Sequence, residues 1–250
     1  MKQEIAKMTE EEMKEGYSFL FRKVMEDKAK GLSSLALSFR ETAFQNGLLK
    51  APSDLFALDI LCYFSFANDE TPWKGRECAL EALSTLEKAG GRFLPEEALS
   101  CYELLLLAFS ELEDAPNEWK CAKEASFYAF RCGKKEDAFL YMKRHIDLCF
   151  RFPKEEWDTL LPNYETLVLM FGKEKAKELL GYSQKGPYLL HDPIETNPLF
   201  VKALTLVNQR LKDYFVAHPS SFSRENYEEK KKAFLLEEGF AWAPAKPLKN

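Results

Sequence analysis

Between residues 52 and 172, apolar segments with helical spacing, each about 15–20 residues long, are separated by very short breaks, most of them marked by Pro or Gly. Breaks that short leave room only for a reversal, so consecutive helices are expected to lie antiparallel. The chain is therefore expected to be a stack of helical hairpins. Such stacks present surfaces for binding far more often than they assemble reacting groups.

The local signals divide the chain further. Thr9 followed by Glu12 has the form of a capping box, which opens a helix through about Lys30, with Gly31 as its stop. Ser33 or Ser34 starts a second helix that Asn46 and Gly47 close, both residues tolerating the left-handed conformation. Further starts fall at Pro52, at Thr71-Pro72 with Thr71 as N-cap, at Pro95, Pro116, Lys134, Pro153 and Lys173, and stops at Gly90-Gly91, Gly133 and Gly172. The helix from Pro153 is expected to jog at Pro162. After an irregular stretch from Gly181 to Pro198, one helix runs to Ala217 and another from near Ser223 to Gly239. Strand evidence is weak, because Val, Ile and Thr nowhere alternate between turn signals. The expected organisation is one all-α domain over 1–250 with about 10–11 helices. It comprises an N-terminal pair (1–50), a hairpin array (51–180), an irregular loop (181–198), closing helices (199–239) and a tail (240–250).

Composition excludes several functions. With a net charge of −5 and pI near 5.5 the chain lacks the basic face that phosphate contacts need, so no nucleic-acid partner is expected. The run Lys230-Lys231-Lys232 reads as the solvated face of a helix. The longest strongly apolar run, Leu104–Phe109, is far short of the ~20 residues that span a bilayer, and Met1 to Gly16 is too charged for a signal peptide. No membrane partner is expected. The 6 cysteines lie inside apolar helical pattern without a C-x-x-C, which reads as buried reduced thiols in a cytoplasmic protein.

The segment "ASFYAFRCGKKEDAFLYMKRHIDLC" resembles a tetratricopeptide repeat. Ala122, Ala125, Ser126 and Ala129 match its small first-helix positions, Gly133 its turn, and Glu136, Ala138, Tyr141 and Met142, loosely, its second-helix signature. The match departs at His145, where the family carries a small residue, and its terminal Pro arrives late at Pro153. It covers 117–150 only. The segment "HDPIETNPLFVKAL", from His191, is similar to one that often follows the last repeat in bacterial proteins of this kind. Hairpins beginning at Ser53, Pro95 and Lys134 recur with a spacing of about 40 residues. The resemblance implies a right-handed, superhelical hairpin array, a protein or peptide partner, and a bacterial source. It leaves homodimerisation open.

Motifs for chemistry are missing. None of His145, His191 and His218 stands in a Glu-x-x-His pair, and no zinc spacing, Walker loop or dinucleotide fingerprint occurs. Neither catalytic residues, nor a metal, nor a cofactor are expected. His145 is expected to be packed and hydrogen-bonded. The 181–198 loop gathers Tyr182, Lys185, Tyr188 and His191, which are the candidate binding residues. Its alternative reading is a connector in which Asp192 organises the turn before Pro193. For the tail, Phe240 and Trp242 lie two apart on an extended segment and are expected to pack on the last helices. A non-enzymatic protein- or peptide-binding module is the leading functional expectation. A ligand-sensing regulator without a DNA-binding part and an all-α enzyme sited at the 181–198 loop are the alternatives.

Overall fold

The computed structural model describes residues 9–47, 51–185 and 189–247. Among these, the fold is all-α. Twelve α-helices occur, with one antiparallel pairing of two residues each, Leu189–Leu190 against Lys246–Pro247. The chain divides into two compact units, Met1–Leu112 and Glu113–Asn250.

The first unit begins with α1 (Glu10–Phe21), where Thr9 and Glu12 close the expected capping box. The helix does not continue to Lys30. It widens into a π-turn over Arg22–Glu26 and ends at Lys28, a non-glycine residue with φ of 51°. The next helix, α2 (Ser33–Asn46), ends as expected at left-handed Gly47. Its start is capped from afar: the Asp69 carboxylate accepts the backbone N–H groups of Gly31 and Ser33. Next come α3 (Pro52–Asn68), α4 (Arg76–Ala89) and α5 (Pro95–Glu111). Thr71 does not cap α4. Its hydroxyl donates to the Phe66 carbonyl, and a 3-10 turn over Pro72–Gly75 intervenes. That turn lies so close to α3 that a Cβ on Gly75 would meet the Tyr63 Cα at 3.1 Å. Tyr63, fully buried in α3, donates its hydroxyl to the Ala108 carbonyl (3.1 Å) and to Glu111 (2.7 Å), which fastens α5.

The second unit opens with the hairpin of α6 (Ala115–Arg131) and α7 (Lys135–Cys149). Asp114 caps α6 by accepting the Asn117 N–H at 3.3 Å, and Gly133 reverses the chain at φ 76°. Ala122, Ala125, Ser126, Ala129 and Ala138 are all fully buried, and the Ser126 hydroxyl reaches the Ala138 carbonyl across the hairpin at 2.7 Å. Small side chains thus let the two helices approach closely. Ala129→Leu is expected to overpack the hairpin and cost roughly 1–3 kcal/mol in a urea melt; wild-type stability would show that the crossing has slack.

The helix expected from Pro153 is instead three pieces, a 3-10 turn at Lys154–Glu156, α8 (Trp157–Leu160) and α9 (Tyr164–Phe171). Pro162 cannot continue the ladder, and Asn163 restarts it by capping Glu165 at 2.8 Å. Helix α10 (Lys173–Lys185) runs past Leu180, so the stretch from Gly181 to Pro198 is not wholly irregular. Met142 and Ile146 of α7 form one core with Leu167 and Met170 of α9 and Ala176 and Leu179 of α10. A second core joins α11 (Pro198–Ala217) and α12 (Arg224–Glu237) to the tail, with Phe200, Leu204, Val207, Leu211, Leu235 and Trp242 inside it.

Candidate functional site

Of the four residues expected at a binding site, the structure describes one side chain in full. Tyr182 and Lys185 lie on the last turns of α10, with side chains outside the described residues, and Tyr188 lies outside them altogether. His191 is half-buried, and its Nδ1 stands 2.8 Å from Glu195 Oε2. The other Glu195 oxygen accepts the Trp242 indole N–H at 2.8 Å. Asp192 caps the 3-10 turn Pro193–Thr196 through the Ile194 N–H, and its second oxygen accepts the Ala243 N–H at 2.9 Å. Asp192 and Glu195 of this segment thus hold the chain's own tail. Asp192 also performs the turn role read for it.

Electrostatics agree with a clamp. Burial alone would raise the Glu195 carboxyl, but the hydrogen bonds from His191 and Trp242 more than offset it and hold the group below its usual range. The Trp242 ring also lies 5.1 Å from the Lys231 ammonium, which pairs with Glu113 at 2.7 Å. Lys231 is therefore buried and partnered, against the expectation of a solvated lysine face. The α12 register turns it inward, and its apolar stem lies along the packed side while its head finds a carboxylate and a ring face.

His145 is packed, as expected. It lies over the Trp119 ring at a centroid distance of 4.8 Å, with Nδ1 3.1 Å from the Trp119 carbonyl. Burial pushes its imidazole down to about 4, so it is neutral at pH 7. In the first unit, a cavity of about 40 Å³ is lined by Met13, Lys14, Tyr17 and Asp54. That is far below the roughly 300–1,000 Å³ of ordinary ligand sites. Burial and the Asp54 carboxylate push the Tyr17 phenol up to about 12, so it is a neutral wall.

The cluster with the most unusual chemistry carries no sequence motif. Asp59 of α3 is fully buried. Arg40 of α2 donates its Nε–H to Asp59 Oδ1, while Oδ2 has no hydrogen-bond partner. Burial pushes the Asp59 carboxyl up to about 6, with Arg40 opposing the rise and Glu81 adding to it. Cys62 of α3 and Cys78 of α4 are both buried free thiols, and the Arg40 and Asp59 charges act on both. The available signal is Asp59 itself, a carboxylate in the middle of the apolar run "LFALDILCYF".

Among the described residues, no group of three or more His, Cys, Asp or Glu side chains is placed to hold a metal ion, and no helix is long and apolar enough to cross a membrane. Comparison with known proteins returned no match to a protein-family model, a curated protein or a solved structure.

Proposed function

We propose that the chain is a non-enzymatic protein- or peptide-binding module of the tetratricopeptide-like kind. The observation that carries this reading is the outer face of α11. Its inner face is filled by Phe200, Leu204, Val207 and Leu211, yet Leu199 and Leu206 stand exposed two turns apart on the opposite side, with exposed Lys202 and Asp213 beside them. Large apolar side chains repeated on one helix face and flanked by charge are the make-up of a contact surface. The close-packed α6–α7 hairpin, with its alanine-lined crossing, supports the family part of the reading.

The test compares wild type with Leu199→Asp/Leu206→Asp. Captured proteins are identified by quantitative mass spectrometry, each is purified and rebound, and sedimentation velocity reports self-association. A purified protein that binds wild type and is lost from a double variant with an unchanged melt supports the reading. Undiminished binding by the double variant removes this face from it. Tight retention of a small molecule in native mass spectrometry, with no protein captured, would favour a sensing role instead.

A further inference from the structure

We propose that the surface under the tail is a peptide-recognition site, occupied in cis by the tail and able to take in trans an extended peptide of the same pattern: two aromatics two residues apart, the second a Trp. The site is built from the inner side of α11, from α12 and from the 189–196 segment, all in the second unit. It is separate from the outer face of α11 and does not rest on that face being a contact surface.

The contacts are those of a bound peptide. An extended ligand is read in two ways: its backbone pairs with another backbone segment, and alternate side chains enter pockets. Both occur here. Leu189–Leu190 pair antiparallel with Lys246–Pro247, and the Ala243 N–H is donated to Asp192 Oδ2 at 2.9 Å. Phe240 and Trp242 face the unit while Ala241 and Ala243 are exposed, which is the alternation of an extended strand. Phe240 meets Phe200 edge to face at 5.5 Å. The Trp242 ring enters the core of α11 and α12, its N–H reaches Glu195 Oε1 at 2.8 Å, and the Lys231 ammonium lies 5.1 Å from its centroid. Glu195 and Lys231 are each fixed by a second partner, Glu195 by His191 Nδ1 at its other oxygen and Lys231 by Glu113. A carboxylate held in place for an indole N–H selects Trp, because Phe or Leu there leaves a half-buried acceptor unpaired.

These contacts do not require the covalent link to α12. The link is short and open: α12 ends at Glu237, and Gly239 turns at φ 89° with nothing within 4 Å of the position a Cβ would take. The Phe240 N–H closes the helix end on the Leu235 carbonyl at 2.8 Å, and the contacts that follow are made with α11, with Lys231 of α12 and with the 189–196 segment. What the link supplies is effective concentration, on the order of millimolar for a short tether. The tail therefore acts as an internal competitor. A peptide in trans meets a filled site in the wild-type chain and an open one once the tail has lost its Trp.

The test uses full-length chains and a fluorescent peptide with the sequence of residues 239–250, read by fluorescence anisotropy. The Trp242→Ala chain, whose own tail lacks its anchor, is expected to bind the peptide saturably and at least about 100-fold more tightly than wild type. A peptide with Ala in place of Trp242 should not bind. Adding Glu195→Ala to the Trp242→Ala chain should weaken the Trp peptide and leave a peptide with Phe at that place little changed. Hydrogen exchange of the α6–α7 hairpin reports whether the variant is folded. If it is not, a second chain carries a protease site between Gly239 and Phe240 and is cut after folding; the freed tail should stay bound and exchange with labelled peptide. The proposal fails if the folded Trp242→Ala chain binds the Trp and Ala peptides alike, if it binds neither, or if the cut tail leaves and does not return.

Discussion

Trp242→Ala is expected to destabilise the second unit by about 3–5 kcal/mol, the range for removing a large aromatic from a packed core. Trp242 lies in the core with Phe200, Leu204, Val207, Leu211 and Leu235, and Phe240 meets Phe200 edge to face at 5.5 Å. Removing the indole empties that site and deprives Glu195 of a hydrogen bond in a half-buried setting. Trp242→Phe keeps most of the apolar surface and loses the N–H, so it should cost less, about 1–3 kcal/mol. Truncation after Gly239 also removes the Ala243 bond to Asp192 and should cost at least as much as the alanine variant. Hydrogen exchange of the α11–α12 peptides separates this unit from the rest. Unchanged protection in Trp242→Ala would mean that the tail rests on the unit without stabilising it. Glu195 gives the clamp a pH dependence. Its folded value is below its unfolded one, so its contribution is present above the unfolded value and is lost as pH falls through the folded one.

The tail's attachment is legible in the sequence because its cause is local: two aromatics on one side of an extended, proline-limited segment have few places to go. The helix boundaries at Thr9, Gly47, Pro52, Pro95 and Pro198 are legible for the same reason, since orphan N–H and C=O groups at helix ends are met within a few residues. What cannot be read lies in partners distant along the chain. Asp69 caps α2 from the far end of α3, so Leu32, which offers no side-chain cap, still precedes a helix. Lys231 looks like its neighbours Lys230 and Lys232 until Glu113, more than a hundred residues earlier, is placed beside it. Asp59 announces a buried polar site by standing in an apolar helix, but Arg40 carries no local mark of belonging to it. Among the binding candidates, proximity along the chain groups His191 with Tyr182 and Lys185. The structure pairs His191 with Glu195 and, through Glu195, with the tail, while the side chains of Tyr182 and Lys185 lie outside the described residues.

Arg40→Met is expected to cost about 3–5 kcal/mol at pH 7.5, and Asp59→Asn distinctly less. The asymmetry follows from burial. Asp59 is fully enclosed, so losing the guanidinium strands a carboxylate with no water to turn to. Arg40 is half-buried and already lies 4.9 Å from the Phe44 ring, so neutralising its partner by Asp59→Asn leaves a cation that can reach solvent. Replacing both, as Arg40→Met/Asp59→Leu, removes charge and desolvation together and should recover most of the loss. The sign of the pH dependence is specific. The Asp59 folded value, about 6, stands above the ordinary value of 3.8, so between the two the folded chain holds a proton that the unfolded chain has released. Stability from this group is full below the lower value and declines as pH rises through about 6, by roughly 3 kcal/mol in all. Acid-side carboxylates such as Glu195 work in the opposite direction, so the contribution must be isolated as a difference. Urea unfolding of wild type and Asp59→Asn at pH 4.5, 6 and 7.5 does so. The gap between wild type and variant should shrink as pH rises, because only wild type loses this contribution. A gap that is constant across the range would show that Asp59 titrates alike in both states and that Arg40 offsets its burial completely.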